Sequence, residues 1–527
     1  PATVLRTSQR KPPFQNMSKN DTPPEDDDLN NINTTAAGLA SGAAITGVAQ
    51  GFRVVLGFVQ GIVLARLLLP ADFGLVAMVA PAVAFAAMVK ELGLNQATVQ
   101  RDQISQQIVS NLFWLSVSMS ILLAVIMAAC APLLADFYGE PEVQALAVAY
   151  AATIVVWGLQ SQPAALLARK LAFKTIAIIE VVSLLAGFIV AVATAYLTRS
   201  YWALFYGTIV TAAVSTLASW MASKFKPMKI GSAEGMKEMI GFGSSIAGFD
   251  LLNFASRNAD NILIARFHDA VELGLYDRAY KLLLFPLQKI TYPLSRVMVP
   301  FLSRNVNQPE RYKRAYFVAV TIILVAAQPG VLVGILFADE IFLVLLGKEW
   351  VPAAPVFMWL GIAGLVQVMT STMGWLFVSQ GRGKHYLMVG AVTAVISITS
   401  FVVGLPQGAV GVAAAYAIGD LVFKTPYVWF MASRNGTVRF GDFVRLLMPH
   451  LLALAVAAAA LYFTGQSFQQ IGFLQIGLLL ALSYGIYLAV LTLFKEKVSM
   501  ARELLEMVWN SIQSKRQARA AQKGMQE

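Results

Sequence analysis

Apolar runs of about 18 residues or more recur along nearly the whole chain, and that feature decides the fold class. Coiled into an α-helix, such a run crosses the roughly 30 Å hydrocarbon layer of a bilayer. Read between charged or Gly/Pro breaks, the spans lie near 36–65, 71–92, 108–133, 143–168, 175–197, 202–223, 238–266, 272–300, 315–337, 352–379, 386–404, 409–432, 446–464 and 471–494. The expected fold is an all-α polytopic membrane protein of about fourteen transmembrane helices, with no loop long enough for a separate domain. A soluble chain of 527 residues would divide into about three domains, but 57% hydrophobic and 13% charged residues, about half the usual charge, argue against one.

Charge orders the spans. A net charge of +11 could serve nucleic acid; among apolar spans it serves topology, because Lys and Arg collect in cytoplasmic loops. One set of alternate loops holds 17 such residues, among them Arg101, Arg169, Lys170, Lys174, Lys224, Lys226, Arg311, Lys313, Arg382 and Arg439. The other set holds only Arg66, Arg199, Arg266 and Lys348, so both termini are expected in the cytoplasm and the span number is expected to be even. Residues 1–33, polar and carrying Glu25-Asp26-Asp27-Asp28, read as a disordered cytoplasmic tail. After the last span Val498, Ala501, Leu504, Leu505, Val508 and Ile512 recur at helical spacing before Lys515, Arg516, Arg519 and Lys523. Residues 495–527 therefore read as a basic amphipathic tail on the inner leaflet.

A repeat divides the chain. Ile62-Val63-Leu64-Ala65-Arg66, then Phe73-Gly74-Leu75, returns as Ile262-Leu263-Ile264-Ala265-Arg266, then Leu273-Gly274-Leu275, an offset of about 200 residues or six spans. Six is even, so both copies cross in the same sense, related by an axis along the membrane normal. The expected plan is two pseudo-symmetric six-helix lobes, residues 34–225 and 226–433, plus two C-terminal helices within 434–494.

Ionisable side chains cost roughly 2.5–3.5 kcal/mol each in hydrocarbon and normally face an interior cavity. On the seventh span Asp250, Asn253, Arg257, Asp260 and Asn261 share one face; on the eighth, Arg278, Lys289 and Arg296 align, with Lys281 beside them. On the first span Gln50, Arg53, Gly57 and Gln60 form a stripe that, offset by 200, falls on Asp250, Asn253, Arg257 and Asp260. Pro81, Pro286 and Pro293 allow bends in the second and eighth spans. The functional reading is a wet cavity between the lobes whose cations Arg53, Arg257, Arg278, Lys281 and Lys289 hold an anion such as a phosphate or diphosphate. Arg296 reads as a topology anchor, and Arg66 and Arg266 as snorkelling residues or caps. Arg257 and Asp260, three apart, either bind or simply neutralise each other. Asp420 and Lys424, four apart, read as a structural pair. Asp250, Asp260 and Asp420 are the intramembrane acids available for proton or sodium coupling.

Other chemistries find no footing. Cys130 is the single cysteine, and His268, His385 and His450 lie far apart, which gives no zinc cluster and no nucleophile–base pair. No phosphate-binding G-x-x-x-x-G-K-[ST] loop occurs. Neither a cofactor, a bound metal nor catalysis is expected.

The stretch Leu64-Ala65-Arg66-Leu67-Leu68-Leu69-Pro70-Ala71-Asp72-Phe73-Gly74, then Glu91-Leu92-Gly93-Leu94-Asn95-Gln96-Ala97, Val99-Gln100-Arg101 and Asn111-Leu112-Phe113-Trp114, resembles the Wzx-like polysaccharide transporter family. That family belongs to the multidrug/oligosaccharidyl-lipid/polysaccharide flippase superfamily, whose members have two six-helix lobes with optional extra helices. The resemblance implies flipping of an undecaprenyl-diphosphate-linked oligosaccharide across the bacterial inner membrane to feed a periplasmic polymerase and co-polymerase, with Arg53 and Arg257 at cavity-lining positions. Two alternatives stay open: a cation-coupled multidrug exporter of the same superfamily, which should favour acids over a basic stripe, and a scaffold of a polysaccharide assembly complex, which needs no buried cations.

Overall fold

The computed structural model of the chain describes residues 36–91, 94–101, 104–231, 254, 258–468 and 470–494. The described secondary structure is helical throughout. In hydrocarbon a backbone must satisfy its own N–H and C=O groups within the segment, and a helix does so. The first repeat holds α1 (Ala36–Leu67), α2 (Pro70–Glu91), the short α3 (Leu94–Gln100), α4 (Gln106–Tyr138), α5 (Glu142–Arg169), α6 (Phe173–Thr198) and α7 (Trp202–Ser223). In the second repeat, residues 258–267 form α8. It continues with α9 (Ala270–Arg304), α10 (Pro309–Leu336), α11 (Ala338–Leu345), α12 (Ala354–Ser371), α13 (Met373–Ser379), α14 (Gly383–Gly404), α15 (Gly408–Gly419) and α16 (Thr425–Ser433). α17 (Phe440–Gly465) and α18 (Phe473–Thr492) close the described chain.

Local chemistry sets the ends. Ser105 accepts from the Ile108 N–H at 3.4 Å and starts α4; Gly139, at φ +76°, stops it by donating to the Ala135 carbonyl. Asp269 accepts from the Glu272 N–H at 2.9 Å and starts α9. A π turn, Asp420–Lys424, joins α15 to α16 without a break in the helical path.

Eleven segments of the described residues are long and apolar enough to cross a membrane, which makes this a multi-pass membrane protein but does not reach the fourteen expected from sequence. Two physical reasons and the extent of the described residues account for the difference. Gly383–Ser433 is one continuous apolar segment that holds two helical arms turning at Leu405–Gln407, where Gly408 takes φ +70°. α9 is 35 residues long but too polar to be counted with the others. Most of the expected span 238–266 lies outside the described residues, as do both expected tails, residues 1–33 and 495–527.

Within the first repeat α4 packs on α5, α6 on α7, α5 on α7 and α1 on α6; within the second, α10 packs on α12, α12 on α15 and α14 on α15. α17 and α18 pack on each other and on α10. The halves meet chiefly along α2 and α9. Two features were not expected from the sequence. α3 is pinned to α5 by Ser161 donating to Asn95 at 2.6 Å, by Thr98 donating to Gln162 at 2.8 Å, and by the buried Arg169 donating to the carbonyl of Thr98. The segment following α7 is laid along the first turns of α4: Asn111 donates to the Gly231 carbonyl at 2.7 Å and accepts from its N–H at 3.1 Å, while Trp114 donates to the Met228 carbonyl at 2.8 Å.

Candidate functional site

The site is built where α2 meets α9, with Gly61 of α1 beside Arg278, and the repeat dictates its shape. Gly74 and Gly274 occupy equivalent positions 200 residues apart. A Cβ on Gly74 would overlap the Ala270 carbonyl, and one on Gly274 would overlap the Pro70 carbonyl. Residue 70 thus meets 274 as 270 meets 74, the reciprocity of a two-fold contact.

Side chains tighten the same end. The Arg278 guanidinium lies 3.7 Å from the centre of the Phe73 ring. Phe73 in turn packs edge-on against Trp350 at 5.2 Å, and the Trp350 indole donates to the Ala65 carbonyl at 2.7 Å. Arg66, at the end of α1, donates to the carbonyls of Leu345 and Val344 in the second repeat. Its counterpart Arg266 lies over Phe137 of the first repeat at 5.5 Å. The arginines read as caps are contacts between lobes.

Away from that end the α1 flank opens. A Cβ on Gly61 would still come within 3.6 Å of Arg278, whereas one on Gly57, Gly51 or Gly47 meets nothing within 4 Å among the described residues. On the other flank Phe85 of α2 packs against Phe254 at 5.8 Å, so the lobes stay in touch there. Among the described residues the opening lies on the α1 side.

The expected site residues fall into three environments. Arg53, one turn from Gly57, pairs with Glu180 of α6 at 2.8 Å and also donates to Gln50, while its buried Nε has no partner. Both partners of the pair remain about one-third exposed, at 29% and 37%. On α9, Arg278 packs over Phe73 with its buried Nε also unpartnered, and Lys281 pairs with Asp277 at 2.7 Å while staying 60% exposed. Lys289 lies on α9, but its side chain, like Arg257 and Asp250, lies outside what is described; Arg296 is exposed.

Two of the three acids sit inside the second lobe. Asp260 is buried, accepting from the Tyr276 hydroxyl at 3.0 Å and the Asn261 N–H at 2.9 Å. Asp420 is buried in the π turn, where Lys424 donates to it at 2.6 Å and Thr425 at 3.2 Å. Lys424 also reaches the Tyr416 hydroxyl at 3.4 Å, which accepts from Gln367 at 2.7 Å. Among the described residues no three His, Cys, Asp or Glu side chains could hold a metal ion.

Glu180 and Asp277, the counter-ions, were missed in the sequence. A signal existed for each: Glu180 is a lone acid in the apolar run 175–197, and Asp277 stands four residues before Lys281. Both are the kind of residue that the rule for intramembrane charges singles out.

Residues 63–355, more than half of the chain, match the family described as "Polysaccharide biosynthesis protein". The teichuronic acid biosynthesis protein TuaB of Bacillus subtilis (strain 168) is 24% identical over 426 residues, 80% of this chain and 88% of that protein. The lipopolysaccharide biosynthesis protein WzxC of Escherichia coli (strain K12) is 24% identical over 72% of this chain and 78% of its own length. The succinoglycan biosynthesis transport protein ExoT of Rhizobium meliloti (strain 1021) is 24% identical over 76% and 82%. In fold, the chain is similar to the lipid II flippase MurJ in an inward closed conformation, with TM-score 0.69 at 14% identity over 86% of this chain and 99% of that one. It is also similar to an inward-facing multidrug resistance MATE family transporter of the MOP superfamily, with TM-score 0.56 at 14% identity over 76% and 95%. On the extent of the family match, this chain belongs to the polysaccharide biosynthesis protein family.

Proposed function

We propose that this protein is a flippase that carries an undecaprenyl-diphosphate-linked oligosaccharide across the bacterial inner membrane for assembly of a surface polysaccharide. The observation that carries the reading is the two-lobed arrangement sealed at one end by Gly74 and Gly274, with Arg53 on the open α1 flank and the exposed Lys281 on α9. A lipid-linked substrate needs a cavity open to the side, so that its chain stays in the bilayer while its headgroup enters. A diphosphate needs cations. Arg offers it a planar fork of donors and Lys a point charge. The names of TuaB, WzxC and ExoT support a polysaccharide substrate, and the fold shared with MurJ supports a lipid-linked one.

The excess of Lys and Arg in one set of loops supports an orientation with both termini in the cytoplasm and the sealed end at the periplasm. The sealed state is then the one that loads from the inner leaflet. Transport proceeds by parting the α2–α9 seam while the open flank closes, with no covalent step by the protein. Arg257 and Lys289 belong to the same set of cations by their place in the repeat and on the α9 stripe. Asp250, Asp260 and Asp420 are the acids through which a proton or sodium ion would bias the cycle, and a periplasmic polymerase and co-polymerase would take the product.

The test is a gene deletion complemented in turn by the wild type, R53Q and K281A. The expected result is loss of one surface polymer, with lipid-linked repeat units accumulating on the inner leaflet, reversed by the wild type alone. A strain that keeps its polymers but becomes sensitive to cationic dyes would favour a drug exporter.

A further inference from the structure

Arg53 is not a free cation waiting for a ligand. Glu180 holds it at 2.8 Å from the neighbouring helix α6, and Gln50 accepts a further hydrogen bond from it. A pair buried in a dry core would be fixed, because separating it would strand a charge. Here the side chains are 29% and 37% exposed, on the flank where a Cβ on Gly57 meets nothing within 4 Å among the described residues, so neither partner is sealed in a packed core. Glu180 and Gln50 also leave the guanidinium incompletely satisfied, since its buried Nε has no partner. An arginine in this state can exchange one oxyanion for another at small net cost, because the gain from a new charged hydrogen bond offsets the loss of the old.

We propose that Glu180 is a displaceable counter-ion, a positioning residue that acts through Arg53 and competes with the anionic headgroup for its guanidinium; this rests on the flippase reading above. It has two consequences. In the empty protein Glu180 keeps Arg53 neutralised and oriented, so no bare cation stands beside hydrocarbon. When a diphosphate takes over the fork, the released carboxylate stands beside a like charge and repels it. Glu180 therefore weakens the resting complex and favours release. A flippase gains from this, because a headgroup held too tightly at loading is never delivered.

The sign of the effect separates this role from a structural one. Removing a structural partner would loosen the site and weaken binding; removing a competitor strengthens it. The experiment measures binding of farnesyl diphosphate to the full-length protein in detergent, with farnesol as control, alongside flipping of a lipid-linked oligosaccharide in proteoliposomes. E180Q, which keeps the shape and removes the charge, is expected to bind the diphosphate roughly three- to tenfold tighter, not farnesol, and to flip more slowly. R53Q is expected to bind more weakly, and the double variant R53Q/E180Q to lose the gain. Should E180Q not be recovered from the membrane, E180D loosens the pair by one methylene and is expected to tighten binding about twofold.

Unchanged or weaker binding by E180Q, with R53Q weakened, would overturn the competitor role and leave the flippase reading standing. If neither variant changes binding, Arg53 does not meet the headgroup, and both this inference and Arg53's part in the reading fall.

Discussion

Gly74 and Gly274 touch across the seam between the two repeats, each lying where its missing side chain would have entered the other repeat's backbone. The contact closes one end of the molecule, and an alanine at either position has no flexible neighbour to push aside, only carbonyls. G74A or G274A should disfavour the sealed state by about 1–3 kcal/mol, the usual penalty of overpacking. Spin labels at Leu69 and Phe267, exposed at that end, in a C130A background, would report it. The expected result is a shift of the distance distribution to longer values in either variant, with helix content unchanged.

Arg278 and Phe73 lock the same seam, at 3.7 Å from guanidinium to ring centre. Replacing the ring by leucine keeps the bulk and removes the π face, so F73L should weaken closure by about 0.5–2 kcal/mol. R278K keeps the charge but loses the flat stacking surface, and should resemble F73L in the spin-label distances. Equal distances in wild type and both variants would show that the stacked pair does not latch the lobes.

Asp420 and Lys424 lie 2.6 Å apart, the carboxylate fully buried. Breaking the pair from one side leaves an uncompensated charge, so D420N or K424M should each destabilise by about 3–5 kcal/mol. D420N/K424M removes both charges and should recover most of the loss. Thermal unfolding in detergent measures it, and flipping by the double variant separates roles: retained flipping assigns the pair to structure, lost flipping to coupling.

Asn111 holds Gly231 by two hydrogen bonds, as donor at 2.7 Å and acceptor at 3.1 Å. N111A should loosen the segment after α7 at Gly231, at about 1–3 kcal/mol for the two bonds, while Gln106, Gln107, Ser110 and Trp114 keep their bonds to it. Because Lys226 and Lys229 are exposed on that segment, trypsin applied to inside-out vesicles should cut N111A faster than the wild type there. Equal cleavage would show that the other bonds to α4 suffice to hold the segment without Asn111.

Hydrophobic runs located most helices to within a few residues, as at Trp202–Ser223, because length and apolarity alone decide a crossing. The repeat was legible for the same reason that Gly74 and Gly274 matter: a backbone contact tolerates no Cβ, so the glycines stand out at fixed spacing among variable apolar residues. α3 was not legible, since seven residues give too little periodicity, and its anchors Ser161, Gln162 and Arg169 lie about 65 residues away or more. In the site, the intramembrane charges on α1 and α9 could be listed from sequence, but their partners could not. The Arg53–Glu180 pair needs α1 against α6, and Arg278 over Phe73 needs the two repeats docked, neither of which helical spacing encodes. The local pairs Lys281–Asp277 and Lys424–Asp420, each four residues apart, were within reach of spacing alone.

The central claim is that cations beside the open flank carry an anionic lipid headgroup across the bilayer. Its most direct measurement is flipping of a fluorescent prenyl-diphosphate-linked oligosaccharide by purified protein in liposomes, read by quenching from the outer face. The expected result is rapid loss of protected label with the wild type and little loss with an R53Q/K281A double variant that inserts equally well. Equal rates for the two proteins, or no flipping by the wild type, would contradict it.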